Sequence, residues 1–341
     1  MGKILTSKQR ITAFEALGHI MAEPDEHLCA LINTAHLYNA WFTPQSAAMA
    51  VSSIAGMLNG PDLKNWLENG AISATPNMRS IGLILAGNIP IVGFHDILCV
   101  MASGHKALIK LSSQDQKFIT YILNKLIEIE PAFEQQISYI ERLKDFDAVI
   151  ATGSNNTSRY FDYYFSKVPH IIRKNRNSVA VLSGQENSEE LKALGHDIFD
   201  YFGLGCRNVS KIYVPKGYDF RIFFESIEEF KSVADHHKYN NNYDYNKSIF
   251  LVNLDKHLDN GFLLLKEDSR FVSPLAVLYY EEYQRLEEVG LELLKNEDLI
   301  QCIVSNSKLP LSTVPFGQSQ CPGLFDYADG VDTMKFLSEL K

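Results

Sequence analysis

The chain has 341 residues, 46% of them hydrophobic and 21% charged, a balance typical of a globular protein with a well-buried core. Its net charge of −9, without a long basic run, argues against nucleic acid as a partner, because phosphate contacts require clustered lysine and arginine. No apolar run is long enough to span a bilayer, and the N-terminal residues contain no apolar segment typical of a secretion signal.

The first half of the chain predicts helices followed by alternating strands and helices. The first eighty residues are predicted to be helical, and one helix begins at Thr43, a favoured N-cap residue, with Pro44 at its first position. Short apolar runs then suit buried parallel strands at 80–87, 106–112, 146–154 and 178–184. Helices are predicted between them at 93–104 and 114–129.

The second half predicts more elements of the same kind. An amphipathic helix begins after Asn187 or Ser188 as N-cap, with Glu189 and Glu190 in its first turn. The segment "GLGCRNVSKIYVP" that follows predicts a turn and a strand. Further strands are predicted at 248–253, 274–280 and 299–306, and the Tyr- and Asn-rich stretch 235–246 is predicted to be a surface loop.

This alternation predicts an α/β fold with two α/β domains, mostly parallel sheets and an active-site cleft between the domains. We expect a helical region and a first α/β domain in residues 1–183, and a second α/β domain with Cys206 in residues 184–310. Residues 311–341 are expected to close the site and to be a candidate oligomerisation segment. Ligands of such sheets bind beyond the carboxyl ends of the strands, where the polar turns "GNIP", "SSQD" and "TGSNNTS" lie.

The usual phosphate-binding fingerprints do not occur in this chain. The spacing Gly203-x-Gly205-x-x-Asn208 follows a helix rather than a strand and lacks the third glycine, so it does not predict a dinucleotide site. A Walker A pattern does not occur either. A bound nucleotide would therefore be held in another way.

The five cysteines are Cys29, Cys99, Cys206, Cys302 and Cys321. Their number is odd, no CxxC pair occurs, and no Cys/His spacing resembles a metal site, which favours reduced thiols in a cytoplasmic protein without a metal. Cys29, Cys99 and Cys302 lie in apolar stretches and are expected to pack in the core. Cys206 differs, because Gly203 and Gly205 allow close backbone approach and the neighbouring Arg207 can lower a thiol pKa. The residues alone leave open whether Cys206 packs or acts as a nucleophile.

The order of the motifs resembles the aldehyde dehydrogenase superfamily, and within it the acyl-CoA reductases of the LuxC family. The resemblance covers roughly residues 80 to 330. It consists of "GNIP", "IKLSS", "ATGSNNTSRYF", "GLGCRNVSKIYV", "SPLAVLYY" and "VPFGQSQCPGLFDY", which follow one another as the corresponding family segments do. No single motif is specific, whereas six in the same order are.

The resemblance implies roles for particular residues. Cys206 would be the nucleophile and Asn88 the amide that stabilises the oxyanion. The cofactor would be NADPH, with NADH as the alternative, held by Lys110, Ser112, Ser113, Thr152, Gly153 and Ser154. Lys211 lies at a position that is usually basic in the family.

Two departures from the family pattern carry information. Oxidising, hydrolytic members carry a glutamate that activates water, and its place falls near Ile172, in a stretch without a carboxylate from His170 to Val181. A general base must reach the proton that it removes, so an acyl-enzyme here should resist hydrolysis. Ser113 stands where NAD-preferring relatives often have glutamate, which permits NADPH because a carboxylate would repel its 2′-phosphate.

The resulting prediction is an NADPH-dependent acyl-CoA reductase that forms fatty aldehyde through a Cys206 thioester. Two alternatives stay open. The acyl group could come from a partner acyl-protein synthetase, or the chain could be a non-catalytic paralogue that binds acyl groups or nucleotide. The resemblance also implies a homodimer or higher homo-oligomer.

Overall fold

The computed structural model describes residues 5–69, 78–153 and 155–340. The chain forms two compact units, Met1–Asn175 with Pro322–Lys341, and Arg176–Cys321. These limits differ from the predicted boundaries after residues 183 and 310. The physical reason at the first boundary is that the strand at Asn177–Val181 forms its hydrogen bonds in the sheet of the second unit.

The first unit begins with helices and continues as strands and helices in alternation. Its helices are α1 (Ser7–Ala22), α2 (Glu26–Thr34), α3 (Pro44–Met57), α4 (Gly60–Asn69), α5 (Phe94–Ala102), α6 (Gln116–Ile129) and α7 (Asn155–Phe165). Its strands are β1 (Ser80–Ile84), β2 (Lys106–Lys110), β3 (Ile137–Tyr139), β4 (Ala148–Thr152) and β5 (His170–Arg173). Helix α3 begins as predicted, with Thr43 accepting a hydrogen bond from the Ser46 N–H.

The second unit repeats this pattern, and the chain then returns to the first unit. The second unit contains β6 (Asn177–Val181), α8 (Ser188–Phe199), β7 (Val209–Pro215), α9 (Phe220–Ser226), α10 (His237–Val252), β8 (Leu258–Asp259), β9 (Leu264–Glu267), β10 (Val277–Tyr283), α11 (Leu286–Lys295) and β11 (Ile300–Val304). Asn187 caps α8 in a capping box with Glu190. Helix α12 (Thr333–Ser338) packs on α5 in the first unit.

Each unit is built around one sheet. The first sheet has the strand order β3-β2-β1-β4-β5, and every pairing in it is parallel. The second has the order β11-β6-β7-β10-β9-β8, parallel except for the short antiparallel β8 at its edge. The apolar strands are buried, as strands covered on both faces must be. The prediction of a mostly parallel α/β fold is therefore confirmed.

Two predictions about residues 235–253 were wrong. The expected loop at 235–246 and the expected strand at 248–253 together form α10. Its buried residues Tyr239, Tyr243, Asn246 and Phe250 recur at helical spacing and were the better signal. The run "SIFLV" resembles a buried strand, but it forms the last turns of the helix, where Leu251 and Val252 are exposed. Strands β3, β5, β8 and β9 were missed because they are short.

No helix in the described ranges is both long and apolar enough to cross a membrane.

Candidate active site

Three neighbouring strands of the first sheet end at one edge. Strand β1 lies between β2 and β4, and Ile84 at its end is in register with Lys110 on one side and Ala151 on the other. The segments that carry Asn88, Lys110 and Thr152 therefore follow adjacent strand ends. This is the edge at which open parallel sheets bind their ligands.

Asn88 is exposed in the turn that leads from β1 to α5. Later in this turn Ile91 has a φ of 62°, in the left-handed region that β-branched residues rarely adopt. The Ile91 N–H donates to Asp115 Oδ2 at 2.8 Å. Asp115 precedes α6 on the neighbouring loop, so a single carboxyl group connects the Asn88 turn to the loop that follows β2.

The same two segments pack closely at Gly87. A Cβ atom at this position would lie 2.2 Å from Ser112 Oγ and 2.7 Å from Ser112 Cβ, so no larger residue fits without movement of the loop. Asn39 of the helical region donates through Nδ2 to Gly87 O at 3.4 Å and to Gln114 Oε1 at 3.3 Å. The Asn88 turn and the loop after β2 are therefore one packed assembly.

Five of the six predicted cofactor residues are described, namely Lys110, Ser112, Ser113, Thr152 and Gly153; Ser154 lies outside the described residues. Lys110 and Ser113 are exposed at the end of β2, and Thr152 and Gly153 are half-buried at the end of β4. An exposed cation, hydroxyl groups and a glycine at the carboxyl ends of parallel strands fit a nucleotide cofactor. These residues would hold it there.

The position expected for a water-activating glutamate carries an aliphatic side chain. Ile172 lies on β5, paired with Ala151 of β4, and is half-buried. The next residue, Arg173, is buried and forms an ion pair with Asp96 of α5 at 2.6 Å. The Asp96 carboxylate is therefore neutralised by a buried guanidinium, and β5 itself carries no carboxylate that could activate water.

Cys206 is half-buried in a tight turn of the second unit, between α8 and β7. The Asn208 N–H donates to Gly205 O at 3.1 Å and closes this turn. Just before it, Tyr201, Phe202 and Gly203 have φ values of 54°, 59° and 76°, three left-handed residues in succession. Only glycine adopts this conformation without cost, and such strain persists only where the surroundings fix it.

Asn208 supplies that fixation from a buried position. Its Nδ2 donates to three carbonyl groups, those of Asp200 at 2.8 Å, Asp197 at 3.2 Å and Ile198 at 3.4 Å. Its Oδ1 accepts from the Gly205 N–H at 2.8 Å. The amide therefore joins the carboxyl end of α8 to the turn that carries Cys206.

Residues of β6 and β11 contact the backbone of Cys206 and the side chain of Arg207. Ser178 of β6 donates through Oγ to Cys206 O at 3.0 Å and accepts from the Cys302 N–H at 3.1 Å. Arg207 Nη1 lies 3.2 Å from Cys302 Sγ, so this guanidinium has the buried Cys302 as a partner. An effect of Arg207 on the Cys206 pKa stays a prediction.

Lys211, the expected basic residue of the motif, is completely buried on β7. Its Nζ donates to Glu281 Oε2 at 2.6 Å and to Ser269 O at 2.9 Å. A buried ammonium needs such partners, because desolvation alone would be costly. Within the second unit Lys211 therefore joins β7 to β10 and to the segment before it.

The "VPFGQSQ" segment is anchored by another buried acid. Asp197 of α8 accepts from the Gly317 N–H at 2.6 Å and the Ser319 N–H at 2.9 Å. Burial raises the pKa of Asp197, although these bonds oppose the shift. Phe316 is buried in the apolar core of the second unit.

The other cysteines divide by burial. Cys99 and Cys302 are buried, as expected, and burial raises the pKa of the Cys99 thiol. The expectation for Cys29 was wrong, since this residue is exposed; on α2 only Leu28 is buried. Cys321 is also exposed. Among residues 5–69, 78–153 and 155–340 no group of three or more His, Cys, Asp or Glu residues is arranged to hold a metal ion.

Sequence reasoning missed Asp115, Asn208 and Asp197. Asp197 carried a signal, since it is an acid on the apolar face formed by Leu194 and Ile198. Asn208 stands in the sequence only as the residue at the third glycine position of the pattern Gly203-x-Gly205-x-x-Asn208. For Asp115 the sequence offers no signal, because an aspartate before a helix is an ordinary N-cap residue.

Comparison with solved structures identifies the class of fold. Aldehyde dehydrogenase 21 from Physcomitrella patens, in complex with the product succinate, matches over 98% of this chain and 84% of its own, with a TM-score of 0.66 and 10% identity. An NADP-dependent glyceraldehyde-3-phosphate dehydrogenase from Bacillus halodurans, complexed with NADP, matches over 92% and 78%, with a TM-score of 0.66 and 14% identity. A Mycobacterium tuberculosis aldehyde dehydrogenase complexed with NAD+ matches over 88% and 73%, with a TM-score of 0.61 and 12% identity. The chain therefore has the aldehyde dehydrogenase fold.

Among curated proteins, the chain is similar to long-chain acyl-protein thioester reductase 2 of Photobacterium leiognathi. The two are 26% identical over a 188-residue alignment that covers 49% of this chain and 38% of the relative. The match thus spans less than half of the relative's length. No family model matches the chain. Fold and relative together confirm the resemblance to LuxC-like members of the aldehyde dehydrogenase superfamily.

Proposed function

We propose that this protein reduces a fatty acyl thioester to the aldehyde, with a nicotinamide cofactor, through a covalent acyl-enzyme on Cys206. The fold and the thioester reductase relative support this reaction class. The observation that carries the proposal is the aliphatic Ile172 on β5, in a stretch without a carboxylate from His170 to Val181. An acyl-enzyme that lacks a base to activate water persists long enough to be reduced.

In the proposed cycle the Cys206 thiolate attacks the thioester carbonyl, and the Asn88 amide and the Cys206 N–H donate to the resulting oxyanion. The carbon–sulfur bond to the acyl donor breaks, and the donor leaves as a thiolate. The acyl group remains on Cys206. After its reduction the thiohemiacetal collapses to the aldehyde and regenerates the Cys206 thiolate.

The nicotinamide cofactor would supply the hydride that the acyl carbon accepts. Lys110, Ser112 and Ser113 at the end of β2, with Thr152 and Gly153 at the end of β4, would hold it. We propose NADPH, with NADH as the alternative, because Ser113 brings no negative charge that would repel a 2′-phosphate.

A second acyl donor is favoured by the relative's name, which specifies an acyl-protein thioester. In that version the acyl group arrives on a partner protein, such as an acyl-protein synthetase, instead of on CoA. The chemistry at Cys206 is the same in both versions. The two differ only in the leaving thiolate.

The test is intact mass spectrometry after mixing the protein with a long-chain acyl-CoA in the absence of nicotinamide. We expect one acyl group per chain, stable for many minutes and mapped to Cys206. Addition of NADPH should discharge it as aldehyde. An adduct that instead hydrolyses at once would contradict the role of the aliphatic Ile172 position.

Two controls make the result specific. Cys206→Ser should form no adduct, whereas Cys321→Ser should form as much as the unchanged protein. Cys29 and Cys321 are exposed, whereas Cys206 is half-buried and less accessible. An adduct that depends on solvent access alone would therefore map to Cys29 or Cys321. Acylation only by an acyl-protein would favour the second donor, and acylation by neither donor would overturn the proposal.

A further inference from the structure

Asp115 is an anomaly in the first unit. Its side chain is 4% exposed, and Oδ1 has no hydrogen-bond partner. Its Oδ2 accepts from the Ile91 N–H at 2.8 Å. A buried carboxyl that is only half satisfied is costly and calls for a reason other than stability.

The position of Asp115 suggests that reason. It stands at the N-cap of α6, yet its side chain makes no cap hydrogen bond to that helix. It reaches instead to the Asn88 turn and pairs with the peptide of Ile91, whose left-handed backbone is strained. The loop on which Asp115 stands also carries Ser112 and Ser113, the proposed cofactor residues.

We propose that Asp115 is a positioning residue, whose Oδ2 fixes the Ile91 peptide and so sets the Asn88 turn relative to the cofactor loop. The inference rests on the proposed function, because it assigns Asn88 and the cofactor loop to the same reaction. The close contact of Gly87 with Ser112 means that a shift of either segment is transmitted to the other.

The charge state of Asp115 adds a pH dependence to this role. Burial raises its pKa to about 8, and the bond from Ile91 opposes the shift. The cation nearest in sequence, Lys117 on the first turn of α6, lies over the Tyr38 ring at 3.8 Å. Lys110 is exposed at the end of β2. The neutral carboxyl suits the buried site, and ionisation above about pH 8 should draw the side chain toward water and loosen the turn.

The test compares Asp115→Asn and Asp115→Leu with the unchanged protein. Asn keeps an acceptor oxygen for Ile91 and cannot ionise, whereas Leu removes the acceptor. We expect kcat for thioester reduction to fall above about pH 8 in the unchanged protein and to stay level in Asp115→Asn. Asp115→Leu should lose about tenfold or more of kcat at every pH, with a smaller change in KM for the acyl substrate.

Asp25 provides a matched control. It is also an aspartate at a helix N-cap, and its Oδ1 accepts from the Leu28 N–H at 2.8 Å, but it is exposed on α2. Asp25→Asn should therefore retain the alkaline loss of the unchanged protein. The same alkaline loss in Asp115→Asn would overturn the proposal.

A measurement without substrate separates this inference from the proposed function. Amide hydrogen exchange of the peptide that spans residues 87–93 should be faster in Asp115→Leu than in the unchanged protein and near normal in Asp115→Asn. Equal exchange in all three would overturn the positioning role. Absence of thioester reduction by the unchanged protein would contradict the proposed function alone.

Discussion

The two turns that carry Asn88 and Cys206 solve the same structural problem with different side chains. Each contains left-handed residues that are not glycine, Ile91 in the first unit and Tyr201 and Phe202 in the second. Each is fixed by a buried side chain, Asp115 from the neighbouring loop and Asn208 from the last position of the Cys206 turn itself. Asp115 fixes the first turn through one bond, whereas the Asn208 side chain takes part in four.

The two anchoring side chains differ in how they respond to pH. The Asn208 amide uses both its donor and its acceptor, carries no charge and does not titrate. The Asp115 carboxyl leaves one buried oxygen without a partner and titrates near pH 8. The Asn208 anchor of the Cys206 turn therefore has no pH dependence of its own, while the Asp115 anchor of the Asn88 turn should lose its proton at alkaline pH.

The largest expected effect separates two asparagines by their roles. Asn88 is exposed and should act on the reaction, whereas Asn208 is buried and should act on the fold. Asn88→Ala should lower kcat by about 10²–10³, the usual loss for one oxyanion donor, while the unfolding midpoint and cofactor affinity stay unchanged. Steady-state kinetics with nucleotide titration checks this. Near-full activity of Asn88→Ala would remove Asn88 from the oxyanion role.

A smaller effect is expected when the amide that fixes the Cys206 turn is replaced by a carboxyl group, the group that fixes the Asn88 turn. Asn208→Asp replaces the amide donor by an oxygen that faces the carbonyls of Asp200, Asp197 and Ile198. The loss of these buried bonds should lower the free energy of unfolding by about 2–3 kcal/mol, measured by urea denaturation. The cost should increase as pH rises and the new carboxyl ionises.

Asn296 offers the control for that substitution. It is half-buried at the end of α11, and its amide donates to a single carbonyl, Glu292 O at 2.9 Å. Asn296→Asp should cost clearly less than Asn208→Asp. Equal costs would show that the Cys206 turn does not depend on its three-carbonyl anchor.

The parts of the fold with strong local signals were predictable. The buried runs of β1, β2, β4 and β7 and the caps of α3 and α8 follow from apolar runs and cap residues alone. The prediction failed at α10, where an apolar run at the end of a helix had the same composition as a strand. Motif order placed Asn88 and Cys206 in turns.

The residues that fix those turns were beyond reach of the sequence. Asp115 bonds to Ile91 across 24 positions, and only the pairing of β1 with β2 brings the two segments together. Asn208 acts on carbonyls at the end of the preceding helix, a contact that depends on the left-handed residues between them. Neither residue type is unusual at its position, so burial and geometry alone reveal their roles.

The effect that is smallest over a single pH unit is on the stability of the first unit. The folded pKa of Asp115 is raised to about 8, above the unfolded value near 3.8, so the folded state binds the proton more tightly. The contribution of Asp115 to the free energy of unfolding is fully present below about pH 4. It is lost as pH rises toward 8, by up to ~1.4 kcal/mol per pH unit.

Asp115→Asn removes this dependence. Its free energy of unfolding should therefore rise relative to that of the unchanged protein between pH 5 and pH 7, and the difference should be constant above about pH 8. Urea denaturation at several pH values measures the difference. Asp25→Asn should show no such trend in this range, because the Leu28 N–H lowers the pKa of Asp25 and confines its pH dependence to below about pH 4. A constant difference between Asp115→Asn and the unchanged protein would mean that Asp115 is ionised in the folded chain, and the contrast between the two turns would then lie in geometry alone.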